Sequence, residues 1–286
     1  MTIKKAVIPA AGWGTRLLPV TKTQPKEMLP IGCKPLIQFA VEEIVEAGIT
    51  DLIIITSPGH RVIADYFAPA PDLAAALRHK NETALLRDLV RLENMAHITY
   101  LTQPEPLGLG HAIALAGKAV GDEPFAVILP DDLIHHPVSG LCQMLPIFAE
   151  YATSVIAVET VDRADTRKYG IIRPEPVRER LYKVEELVEK PEPEVAPSVL
   201  SIVGRYILTP AVFEALAHTV PDSRGEIQLT NALSRMLKEQ DIYALEFHGA
   251  RYDAGSPLGW LEAQVAYGLQ HPEFGDKFRS RLRRLI

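Results

Sequence analysis

Two textures of apolar position alternate along the first half of the chain. Short, nearly continuous apolar runs bounded by turn residues read as buried strands, as at Ala6–Ala10, Asp51–Thr56, Ile98–Thr102, Phe125–Leu129 and Val155–Val158. Between them lie stretches with apolar positions at three- and four-residue steps. Pro35 is predicted at the first position of a helix along which Leu36, Ala40, Ile44 and Ala47 recur, closed by Gly48. His111–Val120 and the segment after Ser139 read as further helices. In residues 70–95, Leu73, Leu77, Ala84, Leu85, Leu89 and Leu92 recur among charges, which predicts one or two amphipathic helices. Strand, loop, helix and strand in that order predict an α/β fold with a mostly parallel sheet.

From about Thr166 the texture changes. Tyr169–Ile172, Leu181–Val188 and Leu200–Leu208 are strand-like runs, separated by Pro-rich stretches, RPEPVRER and KPEPEVAPS, that read as turns. This predicts a more antiparallel, extended region. Helices are expected at about 210–218 and 226–239, a strand at Ile242–His248, and a helix from Pro257. In the closing stretch, DKFRSRLRRLI, Phe278, Leu282, Leu285 and Ile286 share one face and five cations the other. It reads as an amphipathic helix docked on the body or on another subunit, with an anion patch as the functional alternative.

Composition narrows the function classes. The chain has 286 residues, 47% of them hydrophobic, and a net charge of −6, so nucleic acid and acidic membrane surfaces are not expected partners. Any phosphate must be bound by a local basic site. The two cysteines, Cys33 and Cys142, stand in no metal-ligand or disulfide spacing. MTIKKAVIPA has no apolar signal core, and no apolar stretch approaches the ~20 residues of a membrane helix. A cytoplasmic location is expected.

Candidate chemistry is concentrated in residues 4–30, KKAVIPAAGWGTRLLPVTKTQPKEMLP, where a buried strand breaks into a glycine loop followed by cations. Such a loop brings bare backbone N–H groups up to phosphates. Leu17 occupies the third glycine position of a dinucleotide fingerprint, so Gly12-x-Gly14 fails that template, and the chain has no GxxxxGK[ST] run. Arg16 and Lys26 flank the loop; Lys22, between them, suits solvent equally well. Asp131 follows a buried strand and Asp253 lies in YDAG after a late one. Both suit a divalent ion bound beyond strand ends, and both also suit turns or caps, as does Asp132. Glu189-Lys190 reads either as a solvated salt pair or as Lys190 on an anionic oxygen with Glu189 on neutral hydroxyls. Gln103, before Gly108-x-Gly110, offers the donors and acceptor of a base-reading amide. His135 and His136 are assigned to a surface loop.

In combination these pieces resemble one family. AAGWGTRLLPVTKTQPKEMLP is similar to the signature GxGTRxxPxTxxxPKxMLP of the sugar-phosphate nucleotidylyltransferases. KPLIQFAVEEIVEAGI, QPEPLGLGHAI, VILPDD, YGII, VEKP, VGRYIL and GEIQLTNAL follow in the family's order, so the resemblance runs from about residue 3 to 270. The helical insertion near 70–95 and PKEMLP point to the uridylyl-transferring branch. The resemblance implies a Rossmann-like, mostly parallel mixed sheet flanked by helices, with an antiparallel sugar-binding extension. Within a single nucleotidyltransferase domain it implies a nucleotide part over about 1–150, a sugar-phosphate part over about 151–256, and C-terminal helices over about 257–286 that join homodimers or homotetramers. The implied reaction is UTP plus α-D-glucose 1-phosphate to UDP-glucose and pyrophosphate, assisted by Mg²⁺. Ala10, Ala11, Gly12, Gly14 and Glu27 are implied on the nucleotide, Arg16 on its β/γ-phosphates and Lys26 on the α-phosphate. Gln103 and Gly108 are implied at the uracil, and Asp131 and Asp253 on the metal. Gly170, Glu189 and Lys190 are implied on the sugar phosphate, with Val203 and Gly204 as a backbone wall. Glu226 and Gln228 fall in a family motif without an implied role. Trp13 replaces an expected smaller residue, and the residues after the glycine of YDAGSP vary from some members. The same chemistry with dTTP or another hexose 1-phosphate, and a non-catalytic nucleotide-sugar-binding paralogue, are the alternatives. Retention of Lys26, Asp131, Asp253 and Lys190 argues against the second.

Overall fold

The computed structural model describes residues 2–59 and 61–285. Strand β1 (Lys5–Ala10) leads through the loop at 11–14 and three 3-10 turns, Thr15–Leu17, Val20–Lys22 and Lys26–Met28, into a hairpin of β2 (Pro30–Ile31) and β3 (Lys34–Pro35). Next come α1 (Leu36–Glu46), β4 (Asp51–Thr56), α2 (Val62–Phe67), α3 (Pro71–His79), α4 (Thr83–Glu93) and β5 (His97–Thr102). They are followed by α5 (Leu109–Leu115), α6 (Gly117–Val120), β6 (Phe125–Ile128), β7 (Asp132–His135), α7 (Gly140–Tyr151) and β8 (Val155–Thr160). After a 3-10 segment, Arg163–Lys168, the chain forms β9 (Gly170–Arg178), β10 (Leu181–Glu189), β11 (Leu200–Leu208), α8 (Ala211–Ala217) and α9 (Leu229–Met236). It ends in β12 (Tyr243–Glu246), β13 (Ala250–Asp253), α10 (Pro257–Leu269) and α11 (Gly275–Leu282).

A nine-stranded mixed sheet, in the order β5-β4-β1-β6-β11-β8-β12-β10-β9, forms the centre of an α/β fold. The first four strands in that order are parallel, and β11 runs antiparallel between β6 and β8. The parallel strands read as unbroken apolar runs because both of their faces are buried. Ala6, Ile8, Leu52, Ile54, Ala126 and Ile128 pack into one core with α1, α2 and α7. Their neighbours Val7, Ile53, Ile55, Phe125 and Val127 pack into the other with α5, α8 and α9. Two-residue alternation thus divides each strand between two cores. The antiparallel part continues the same sheet. β9 and β10 pair with two register shifts, and β9 also meets β11 at Ile171–Ser201. Such shifts bend strands, and the bend returns Gly170 and Glu189 to the middle of the molecule. A third cluster, including Leu17, Leu29, Ile31, Leu133, Ala254 and Ala263, ties the loop after β1 to β7, β13 and α10.

Several expectations need correction. Pro35 precedes α1 in an extended conformation, ψ 153°, because it ends the β2–β3 hairpin. His111–Val120 is two short helices, and the first starts at Leu109. RPEPVRER is mostly strand: β9 lies at the sheet edge, where a proline without an N–H is tolerated. The helix expected from 226 starts at Leu229, because Ile227 N–H donates to Leu107 O and Ile227 O accepts from Gly110 N–H. The strand expected over Ile242–His248 is shorter. His135 ends β7, which pairs with β13. Residues 70–95 do form two helices, but α4 buries none of its side chains. In α11, Phe278 packs on Gly268; Leu285, beyond the end of that helix, is exposed, while Ile286 lies outside the described residues.

Candidate active site

Parallel strands deliver their carboxyl ends to the same side of a sheet, and ligands bind beyond those ends. Here β1 delivers the glycine loop, β5 delivers Gln103 and β6 delivers Asp131, and all three line one cleft of about 590 Å³. Gly14 makes the turn at φ +63°, and its carbonyl accepts a hydrogen bond from Thr21 Oγ1. Arg16, Lys26 and Glu27 line the same cleft.

Lys26 Nζ stands 2.5 Å from Asp131 Oδ2. Burial alone would discharge the lysine; Asp131 and then Glu27 outweigh burial and raise its pKa above the ordinary lysine value. Asp131 is affected in the opposite sense. Burial pushes its pKa up, but Lys26 draws it below the usual carboxylate range. Both groups are therefore charged. Glu27 differs. Burial pushes its carboxyl up to about 7 against the pull of Lys26, whose Nζ is 4.0 Å away. Neither of its oxygens has a hydrogen-bond partner among the described residues.

Asp253 converges on the same point. An ideal Cβ on Gly255 would stand 2.5 Å from Asp131 Oδ2, 3.0 Å from Asp253 Oδ1 and 2.9 Å from Arg16 Nη2. Burial raises the Asp253 pKa, and Asp132 and Asp131 raise it further. Two carboxylates around a gap that only glycine leaves open make an oxygen-rich donor set that suits a hard divalent cation.

The other end of the cleft is made by Tyr169, Gly170, Glu189, Lys190 and Gly204. Gly170 and Glu189 are register partners in β9 and β10. Lys190 takes a left-handed conformation, φ +47°, and its N–H donates to Tyr169 O. Such a conformation disfavours a side-chain-bearing residue and is held by its surroundings. Its Nζ lies 2.9 Å from Glu189 Oε1. Gly204 sits at a register shift in β11, and an ideal Cβ there would come within 2.5 Å of Leu129 Cβ.

The orientation of Gln103 follows from its partners. Nε2 donates to Gly108 O at 3.2 Å and lies 2.9 Å from His111 Nδ1. A carbonyl only accepts, so the amide NH₂ faces it, and His111 Nδ1 must accept as well. This orientation leaves Oε1 as the amide atom turned away from Gly108 O and His111.

Of the residues singled out in the sequence, Ala11, Gly12, Gly14, Arg16, Lys26, Glu27, Gln103, Gly108, Asp131, Gly170, Glu189, Lys190, Gly204 and Asp253 line this cleft. Ala10 and Val203 do not; alternation turns their side chains into the core beneath. Trp13 stands at the wall, 69% exposed. Glu226 and Gln228 also line the cleft, joined by a hydrogen bond from Gln228 Nε2 to Glu226 Oε2. Sequence reasoning missed Tyr169, Thr230 and Arg251. It took Asp132 for a cap, but its Oδ2 accepts from Gly204 N–H and its Oδ1 from Arg251. The available signal was spacing: Arg251 and Asp253 are two residues apart in a strand and share a face.

Comparison with known proteins agrees with this fold. The family model described as nucleotidyl transferase matches residues 5–268. A UTP–glucose-1-phosphate uridylyltransferase from Bacillus subtilis is 44% identical over 96% of this chain and 94% of its own. Among solved structures, a UDP-glucose pyrophosphorylase complexed with UDP-glucose superposes with a TM-score of 0.87 at 45% identity, covering 94% of this chain and all of that one. A UTP-bound enzyme of the same kind from Acinetobacter baumannii gives 0.92 at 36% identity, with both chains fully covered. A match this long, joined to a glycine loop, a lysine and two carboxylates at the strand ends, makes this chain a member of the nucleotidyl transferase family.

Proposed function

We infer that this protein transfers a uridylyl group from UTP to α-D-glucose 1-phosphate, releasing pyrophosphate and forming UDP-glucose. One observation carries the reading. A single cleft holds a phosphate-type loop with Lys26 at one end, a second lysine, Lys190, in a glycine-walled pocket at the other, and Asp131 and Asp253 between. The names and bound ligands of the similar enzymes support the choice of substrates.

A phosphate monoester has a second pKa of about 6 and is largely a dianion at neutral pH, so the attacking oxygen needs no general base. It forms a bond to the α-phosphorus of UTP as the bond from that phosphorus to the bridging oxygen breaks, and the electron pair leaves with pyrophosphate. The obstacle is bringing one anion up to another, so catalysis is alignment and charge neutralisation. Lys26 is assigned to the α-phosphate, where charge crowds as the new bond forms. Arg16 is assigned to the departing β/γ-phosphates, and the backbone at Ala11, Gly12 and Gly14 to the phosphate chain. Lys190 is assigned to the sugar phosphate and Glu189 to sugar hydroxyls. Gln103 Oε1 accepts from the N3–H of uracil; a cytosine would present an acceptor there. Asp131 and Asp253 would hold Mg²⁺, which when bound neutralises phosphate charge.

Leu258, Leu261 and Val265 are exposed at helical spacing on α10. This apolar face supports the expectation that residues 257–286 join copies of the chain in a homodimer or homotetramer. Among the described residues no helix is long and apolar enough to cross a membrane.

The test is pyrophosphate release from UTP and glucose 1-phosphate with and without Mg²⁺. Release that needs both substrates and stops with EDTA is expected. No release with any nucleotide and sugar-phosphate pair overturns the reading in favour of a binding protein.

A further inference from the structure

Arg251 lies at the centre of a buried polar cluster to which neither the sequence motifs nor the reaction assign a task. Its side chain is only 7% exposed. Nε donates to Asp132 Oδ1 at 2.6 Å, Nη2 lies 2.5 Å from the same oxygen, and Nη1 donates to Glu159 Oε1 at 2.6 Å. The guanidinium also lies 4.8 Å from the centre of the Tyr169 ring. A planar fork can bind two carboxylates in its plane and an aromatic ring on its face together; an ammonium cannot.

Each partner leads to a different wall of the sugar-phosphate pocket. Asp132 Oδ2 accepts from Gly204 N–H at 2.9 Å, so the Asp132 carboxylate is shared between Arg251 and the Gly204 peptide. The Gly204 carbonyl is held from the other side by Arg205 Nη1, whose guanidinium is paired with Glu43. Tyr169 precedes Gly170, and its carbonyl accepts from the N–H of left-handed Lys190. Arg251 itself stands two residues before Asp253 on β13. One guanidinium therefore links Gly204, the Tyr169–Lys190 contact and the strand that carries Asp253. It also balances two carboxylates, the buried Asp132 and the half-buried Glu159, beside a pocket that must admit a dianion.

We propose that Arg251 is a positioning residue for the sugar phosphate, setting the placement of Gly204 and Lys190 relative to Asp253 and screening Asp132 and Glu159 from the incoming phosphate. The proposal rests on the reading of the reaction given above. It separates the two substrates, because the loop at 11–14 and Gln103 are not among the partners of Arg251.

The experiment is steady-state kinetics of Arg251→Lys, Arg251→Met and Tyr169→Leu, each with a melting temperature and each with glucose 1-phosphate and galactose 1-phosphate. Arg251→Lys keeps the charge and loses the fork; it is expected to raise KM for glucose 1-phosphate about tenfold, with KM for UTP within about twofold. Its preference for glucose over galactose is expected to shrink. Arg251→Met is expected to be worse, so that lysine is a partial rescue. Tyr169→Leu, which keeps Arg251 and both carboxylates, is expected to shift the same KM in the same direction and gives the readout if the Arg251 variants do not fold. Equal rises in both KM values, or unchanged KM values with lower kcat alone, overturn the proposal. Absence of turnover in the unsubstituted protein overturns the reaction itself, a distinct result.

Discussion

Lys26 Nζ and Asp131 Oδ2 stand 2.5 Å apart, a buried ion pair between residues 105 positions apart in the chain. The pair charges both groups in a place where burial would neutralise either one alone. Lys26→Ala removes the cation assigned to the phosphorus under attack and leaves Asp131 unpaired. Turnover is expected to fall by about 10²- to 10³-fold, with a smaller change in KM for UTP. Unchanged kcat would take Lys26 out of the mechanism.

Lys190 is assigned to the opposite end of the reaction. Its Nζ lies 2.9 Å from Glu189, and its backbone is pinned in a left-handed conformation. Lys190→Ala is expected to raise KM for glucose 1-phosphate by about tenfold, from loss of a charge-assisted contact. A normal KM for that substrate refutes the assignment.

The base selection assigned to Gln103 rests on the orientation of its amide. Gly108 O and His111 Nδ1 both take the NH₂ of Gln103. His111→Leu removes one of the two acceptors that hold it. The ratio of kcat/KM for UTP over CTP is expected to fall by about tenfold, a bidentate lock being reduced to a single bond. Parallel losses with both nucleotides would show that His111 supports the loop and not the choice of base.

Glu27 gives a pH signature. Its folded-state value of about 7 lies above the ~4.3 of an exposed glutamate. Between these values the folded protein holds a proton that the unfolded chain has released. The contribution to stability is therefore complete below the unfolded value, declines as pH rises, and is lost above about 7. Glu27→Gln is always neutral. Its stability relative to the unsubstituted protein is expected to gain about 3 kcal/mol between pH 4 and pH 8. Urea unfolding of both proteins across that range is the measurement, and parallel curves contradict it.

Trp13 stands exposed at the cleft wall, whereas Trp260 donates Nε1–H to Pro30 O on another part of the surface. UTP is expected to change the fluorescence of Trp260→Phe protein and not that of Trp13→Phe protein. Identical titrations would place Trp13 away from the bound nucleotide.

Much of the fold was legible because strands buried on both faces leave a strong local trace, whichever way their neighbours run. Asp51–Thr56 and Leu200–Leu208 are observed with the expected bounds. Where the reading erred, a distant partner had outweighed the local signal. Pro174 and Pro176 look like turn residues, yet they sit in β9, where the sheet edge asks nothing of their missing N–H. Glu226–Gln228 looks like the start of a helix, yet Leu107 and Gly110 take both backbone hydrogen-bonding groups of Ile227. Asp132 reads as a cap only until Arg251 and Gly204 are brought to it.

Residues 4–30 by themselves determined a strand, a glycine turn and two following cations, because backbone freedom and side-chain charge are properties of local sequence. The ordered motifs determined the family. The tertiary structure decided which charges meet: Lys26 with Asp131, Asp253 with Arg16 around Gly255, and Arg251 with Asp132, Glu159 and Tyr169. Pairings of that kind depend on sheet order and on bends in β9, β10 and β11, and the energies that set those bends are shared across contacts far apart in the chain.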